Sequence, residues 1–351
     1  NGPARDRLAD QLSKLAAVLD AAGLFAEARG PAERAIALIE KKLGPDHPDL
    51  AFALDALGGI YYDAGQFADA QRQYRRALAI LDKLGEPAGY NTTEAIEGLG
   101  NAALALGQLD EARAHHERAL AIRQRTNPDD QHVGDSLINL GMVLVAQGNV
   151  AAGREHYERA LALYRKVLGP EHPQVAIALR QRAQLAMGTP QAIADLEAAL
   201  AITTAAYGPD HPEIGVQHGN LGAAYAGLKR WREAQDHYER AIANHEKTIG
   251  PKHEMTALAL TGLGQAMIER RDAAGALPIL ERAITILEAS GAKSALRAVP
   301  RWLLVRALWD SKRDRKRART LAQQAHEELG DARDPMSVQV RAELDAWIAA
   351  H

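Results

Sequence analysis

Apolar residues recur along this chain at intervals of three and four, the spacing of one helix face. Leu54, Leu57, Tyr61 and Ala64 form one stripe, and Ala70, Tyr74, Ala77, Leu78 and Leu81 form a second, separated by the polar turn Gly65-Gln66. This predicts two helices of roughly 16 to 18 residues, each about 25 Å long, folded back on each other. The same pattern recurs down the chain. Ala35, Ala77, Ala119, Ala160, Ala199, Ala241, Ala283 and Ala325 are spaced by 42, 42, 41, 39, 42, 42 and 42 residues. Twenty positions before each stands Leu15, Leu57, Leu99, Leu140, Leu179, Leu221, Leu263 or Val305. The next residue is small in six of the eight units, with Arg180 and Arg306 the exceptions. Columns held through eight units predict stacked repeats that share interfaces.

The punctuation between units is also periodic. Leu43-Gly44-Pro45-Asp46-His47-Pro48 recurs around His172 and His211, and in shortened form around His253. Glycine ends a helix in the left-handed conformation, and the following proline blocks its continuation. The second proline fits the first helical position, where its missing N–H costs nothing. The expected units are about 4–43, 47–84, 92–126, 131–168, 172–206, 211–249, 253–289 and 294–329, followed by a C-terminal capping helix within 331–351. Linkers 85–93 and 127–134 depart from the common form and are the expected flexible points. The fifth unit is short and turns at Gly188-Thr189-Pro190.

Composition agrees with an all-helical reading. The chain has 351 residues and is 47% hydrophobic but only 5% aromatic, so alanine, the strongest helix former, carries much of its apolar content. A net charge of −3 gives no bulk attraction to nucleic acid or an anionic membrane. Zero cysteines exclude disulfides and thiolate chemistry. No apolar run is long enough to span a bilayer, and no signal peptide is visible, which gives a cytoplasmic expectation. The chain begins at Asn1 without a methionine, as a piece of something longer would.

Leu54, Leu57, Gly58, Tyr61, Ala70, Tyr74 and Ala77 of the second unit resemble the tetratricopeptide repeat. The 42-residue period and the Leu-Gly-Pro-Asp-His-Pro linker resemble the kinesin-light-chain subtype, and the alanine- and arginine-rich composition fits a bacterial source. The resemblance implies a right-handed superhelical solenoid whose first helices line a concave, segment-binding face. It also implies that Asn139 and Asn220 hold a bound backbone, in the place of that subtype's second asparagine. Alternatively, it implies a regulatory or sensor segment of a larger bacterial signalling protein, such as a protein kinase, with intramolecular or homotypic contacts.

The family's inward positions select Asp10, Asp20, Phe52, Asp55, Tyr62, Asp63, Glu94, Glu97, Asn101, Leu104 and Asp135 here. Over the first four units these positions hold seven acids and no Lys or Arg. Residues 1–165 carry 18 Lys and Arg against 23 Asp and Glu, whereas the remainder carries 24 against 22. Acids lining a concavity focus negative potential and favour a basic segment. Phe52, Tyr62 and Leu104 would supply apolar contact beside them.

No other chemistry stands out. The linker histidines His47, His172, His211 and His253 lie one per unit, roughly 10 Å apart, too far to share a metal whose ligands sit about 2 Å away. They are expected to cap or shape the linkers. No catalytic motif is present, so neither enzyme activity nor a cofactor is expected. The basic cluster Lys312 to Arg319 has no interleaved aromatic for base stacking and reads as a solvated surface, not a nucleic-acid site. The expectation is a non-catalytic scaffold for a protein or peptide segment, its oligomeric state open.

Overall fold

The computed structural model describes residues 7–84, 90–292, 294–330 and 335–351. Among these it contains seventeen α-helices and no strand. Residues 85–89 of one irregular linker, Asp334 and Asn1 lie outside the described residues. The chain divides into two compact bodies, residues 1–170 and 171–351.

The first body consists of α1 (Arg7–Ala21), α2 (Phe25–Leu43), α3 (Pro48–Asp63), α4 (Phe67–Lys83), α5 (Tyr90–Ala105), α6 (Leu109–Thr126), α7 (Gln131–Ala146) and α8 (Val150–Val167). The second consists of α9 (Pro173–Gln184), α10 (Pro190–Tyr207), α11 (Pro212–Gly227), α12 (Trp231–Thr248), α13 (Glu254–Glu269), α14 (Ala273–Ala289), α15 (Ser294–Asp310), α16 (Arg315–Leu329) and α17 (Pro335–Ala350). Within each body consecutive helices pack in pairs, and each pair packs on the next.

The linker histidines are helix caps. Nδ1 of His47, His172, His211 and His253 accepts the backbone N–H two residues on, at 3.1 to 3.2 Å. This satisfies one of the donors a helix leaves unpaired at its start. In the linker after α6, Asp130 plays the same part, accepting from the His132 N–H at 2.8 Å. Linker acids are tied to the following repeat by Lys83–Asp46, Lys166–Asp129 and Lys247–Asp210 pairs. These pairs are exposed, so each contributes little.

The alanine column is fully buried from Ala35 to Ala325. Leu57 and its counterparts through Val305 are buried, but Leu15 is 47% exposed, because among the described residues no helix precedes α1. In six of the eight units a bulkier side chain lies three positions before the column alanine: Tyr74, His116, Tyr157, Leu196, Tyr238 and Leu280, all buried, while Ala32 and Ala322 hold that place in the first and eighth. Tyr74 fits between two glycines. A Cβ at Gly58 would lie 2.7 Å from its ring and one at Gly98 2.5 Å away.

This contact carries a prediction. Gly98→Ala should destabilise the first body by about 1–3 kcal/mol, because the added Cβ overlaps the buried Tyr74 ring and forces the ring or the helices to shift. Gly59→Ala one helix away, where a Cβ lies 4.0 Å from the Tyr74 hydroxyl, should be neutral or stabilising through helix propensity. Chemical denaturation of both variants checks the contrast, which equal destabilisation would refute.

The fifth repeat is the irregular one. Its first helix, α9, has only 12 residues. The turn after it packs backbone to backbone on α11, where a Cβ at Gly227 would lie 2.8 Å from the Gly188 Cα. Arg180 and Arg306, which replace the small column residue, turn to Glu213 and Glu269 of neighbouring helices.

Candidate functional site

The tyrosine column has a gap in the first repeat. Its position there is Ala32, and the space a ring would fill is a cavity of about 460 Å³ among α1, α2 and α3. Ala16 and Ala56 line it where Gly58 and Gly98 flank the ring of Tyr74, and Tyr74 itself lines one wall. Most of the wall is aliphatic, with Phe52 at 41% exposure along it.

Four acids and one base also line the cavity: Asp10, Asp20, Asp49, Asp55 and Lys42. Asp10 is held by Lys14 at 2.8 Å. Asp20 and Asp55 each have one carboxylate oxygen, Oδ1, that is buried without a hydrogen-bond partner. Burial, reinforced by Glu94, pushes the Asp55 carboxyl up to about 7. Burial and the nearby charge of Asp63 likewise raise Asp20. Burial, together with the charges of Asp55, Asp63 and Asp20, holds the Tyr74 proton above the usual phenol range. Asp10 is thus paired with Lys14, whereas Asp20 and Asp55 have no ion pair among the described residues in this partly apolar site.

Further along the same face the acids are balanced. Arg123 of α6, 7% exposed, donates to Glu97 and Glu94 at 2.7 Å each and to Ser136 Oγ and the His132 carbonyl at 2.9 Å. Ser136 completes the network by donating to Glu97 at 2.5 Å. Burial raises the Glu97 carboxyl, an effect that Arg123 and Ser136 oppose. Asp135 accepts from the Tyr164 hydroxyl at 2.6 Å and lies 3.1 Å from His132 Nδ1.

The sequence-selected residues therefore divide into sets. Phe52 and Asp55 line the cavity. Asp63 is exposed at the end of α3, and Tyr62 stands edge-on to Phe67 with ring centroids 5.3 Å apart. Asn101 on α5 and Asn139 on α7 are half-buried, as is Asn220 on α11 of the second body. Glu94, Glu97 and Asp135 are engaged by Arg123, Tyr164 and His132, and Glu97 is only 8% exposed. The Glu97 carboxylate thus faces Arg123 and Ser136 within the first body.

Arg123 lies on a second helix, α6, outside the inward first-helix positions. The missed signal lies four residues after the column alanine, where Ile39, Leu81, Leu287 and Leu329 stand in other units. An arginine in a core column calls for buried acids as partners.

The basic cluster is also occupied. Arg315 and Arg319 lie over the Trp309 ring at 4.6 and 5.9 Å, and Arg317 pairs with Glu281 at 2.6 Å. Trp309 precedes the cluster in sequence, so a search within 312–319 for aromatics misses it. Among the described residues no group of three or more His, Asp or Glu could hold a metal ion, and no helix is long and apolar enough to cross a membrane.

A tetratricopeptide-repeat family model matches residues 8–83, 92–149, 132–189, 186–247 and 214–289. Among curated proteins none matches the chain in sequence. The fold is similar to BtubC (BKLC) from P. vanneervenii, with a TM-score of 0.52 at 21% identity over 70% of this chain and 94% of that one. It is similar to a signal transduction ATPase with a tetratricopeptide-repeat sensor from Pyrococcus horikoshii, with a TM-score of 0.66 at 16% identity over 96% of this chain and 50% of that one. A Rap protein complexed with competence and sporulation factor gives a TM-score of 0.59 at 13% identity over 97% and 96% of the two chains. At these identities the likeness concerns the fold.

Proposed function

The chain belongs to the tetratricopeptide-repeat family, and on that premise we propose that it is a non-catalytic scaffold that binds a basic peptide or protein segment. The segment lies on the face formed by the first helices of the first body. The observation that carries this reading is the group Asp20, Asp55 and Asp63, none of which has a cationic partner among the described residues, beside the exposed ring of Phe52. Charge in a recessed, partly apolar setting is worth more to a cationic partner than the same charge on an open surface. Asn101 and Asn139, half-buried further along the face, supply donors and acceptors for an extended backbone. The Rap protein complexed with competence and sporulation factor is an example of such a fold holding a partner.

Selection of a displayed random peptide library on the full chain tests this. Lys- and Arg-rich sequences should be enriched, and the combined variant Asp55→Asn, Asp63→Lys should bind them at least about tenfold more weakly while keeping its helicity. Enrichment of acidic sequences, or binding that the variant leaves untouched, would remove the reading.

A further inference from the structure

The gap in the tyrosine column has a size and a chemistry. In the second, fourth and sixth repeats a tyrosine fills the corresponding space, and in the seventh a leucine does. In the first, Ala32 leaves it open, and Asp20 and Asp55 each bury one unpartnered oxygen. Carboxylate oxygens recessed in this way favour a hydrogen-bond donor. An apolar ligand would leave both oxygens unpaired, and an anion would be repelled by Asp20 and Asp55. A compact polar cation would satisfy the oxygens and waste the apolar wall of Ile39, Ile60 and Phe52. A flexible alkyl stem ending in a cation satisfies both.

We propose that the cavity among α1, α2 and α3 is a receptor for one long aliphatic cation, the lysine or arginine side chain of the segment bound on the adjacent face. This rests on the reading that the face takes a basic segment, and it adds where one side chain of that segment is anchored. The stem lies along Ile39, Ile60 and Phe52, and the cationic head reaches Asp20 and Asp55. The Asp55 carboxyl, pushed up to about 7 by burial and by Glu94, is drawn toward its ionised form by the cationic head.

The test uses the full chain and probes that need no knowledge of the partner. Pentylammonium and pentylguanidinium imitate the two side chains, and 1-pentanol is the neutral control. Titration followed by NMR of the first-body resonances should show saturable binding of at least one cation, at about millimolar Kd for so small a ligand, with 1-pentanol at least tenfold weaker. The stronger cation tells lysine from arginine. Ala32→Leu, which refills the gap as Leu280 does in its own repeat, should abolish binding with helicity intact. Asp55→Asn should weaken it about tenfold or more without touching the cavity's size, and serves if Ala32→Leu does not fold. Equal binding of 1-pentanol and the cations, or binding unchanged in Asp55→Asn, would overturn the proposal. The two readings fail separately. Selected basic peptides that bind while neither cation does would sink the anchoring cavity alone. Cations that bind the cavity while no peptide binds would sink the segment reading and leave the cavity's ligand class standing.

Discussion

Arg123→Met is expected to destabilise the first body by about 3–5 kcal/mol, the range for breaking a buried ion pair from one side. Methionine fills much of the volume, so lost packing contributes little. The cost comes from what stays behind: Glu97 at 8% exposure, Glu94 beside it, and the Ser136 hydroxyl and His132 carbonyl each missing a donor. Glu97 already has a raised pKa through burial, and without Arg123 it rises further. The deficit should therefore shrink as pH falls and Glu97 takes up a proton. Adding Glu97→Gln to Arg123→Met should recover part of the loss, because it removes the stranded charge. Denaturation midpoints of the single and double variants at about pH 5 and 7.5 check all three points. A single variant within about 1 kcal/mol of wild type would show that the network carries no such stability.

His116 should make the same body acid-labile. It is fully buried, both ring nitrogens lack partners, and burial, aided by His115 and Arg123, lowers its pKa to about 4. The folded state thus refuses a proton that the unfolded chain accepts near the ordinary 6.5. The stability held by the neutral ring is whole above that value and drains away as pH falls toward 4. The full loss is about 3 kcal/mol, of which about 2 has gone by pH 5. In the second body His245 and His218, lowered first by burial, act with the same sign. His116→Leu, following Leu280 of the same column, should flatten the first body's pH profile and gain on wild type as pH falls from about 6.5, the gain being largest at about pH 4 and below. Hydrogen exchange of α5 and α6 at several pH values reads this locally. Parallel pH profiles for variant and wild type would assign the titration elsewhere.

The fold was legible because repetition averages out local noise. Eight copies of an alanine column and a leucine column define the helices and their buried faces even where one unit departs. The linker histidines were readable as caps for the same reason, since each recurs one residue before a helix start. Site chemistry is legible only where units differ, and a single sequence hides which differences are balanced. Asp55 and Glu97 look alike as inward acids. One faces a cavity that Ala32 leaves open, and the other faces Arg123 from a helix that first-helix counting never visits. Ala32 was itself in plain view, an alanine in a tyrosine column. Its consequence depends on Ala16, Ala56 and Tyr74 meeting around it, which only the packed helices reveal. Ion pairing across repeats is equally invisible to a tally of charges along the chain.

The central claim is that unbalanced carboxylates on the first-helix face recognise positive charge. Calorimetric titration of the tightest selected basic peptide into the full chain, at about 50 and 500 mM salt, tests it most directly. Wild type should lose affinity steeply as salt rises, and Asp63→Lys should bind weakly with a much flatter salt dependence. Equal affinity of the two proteins, with no response to salt in either, would contradict the account.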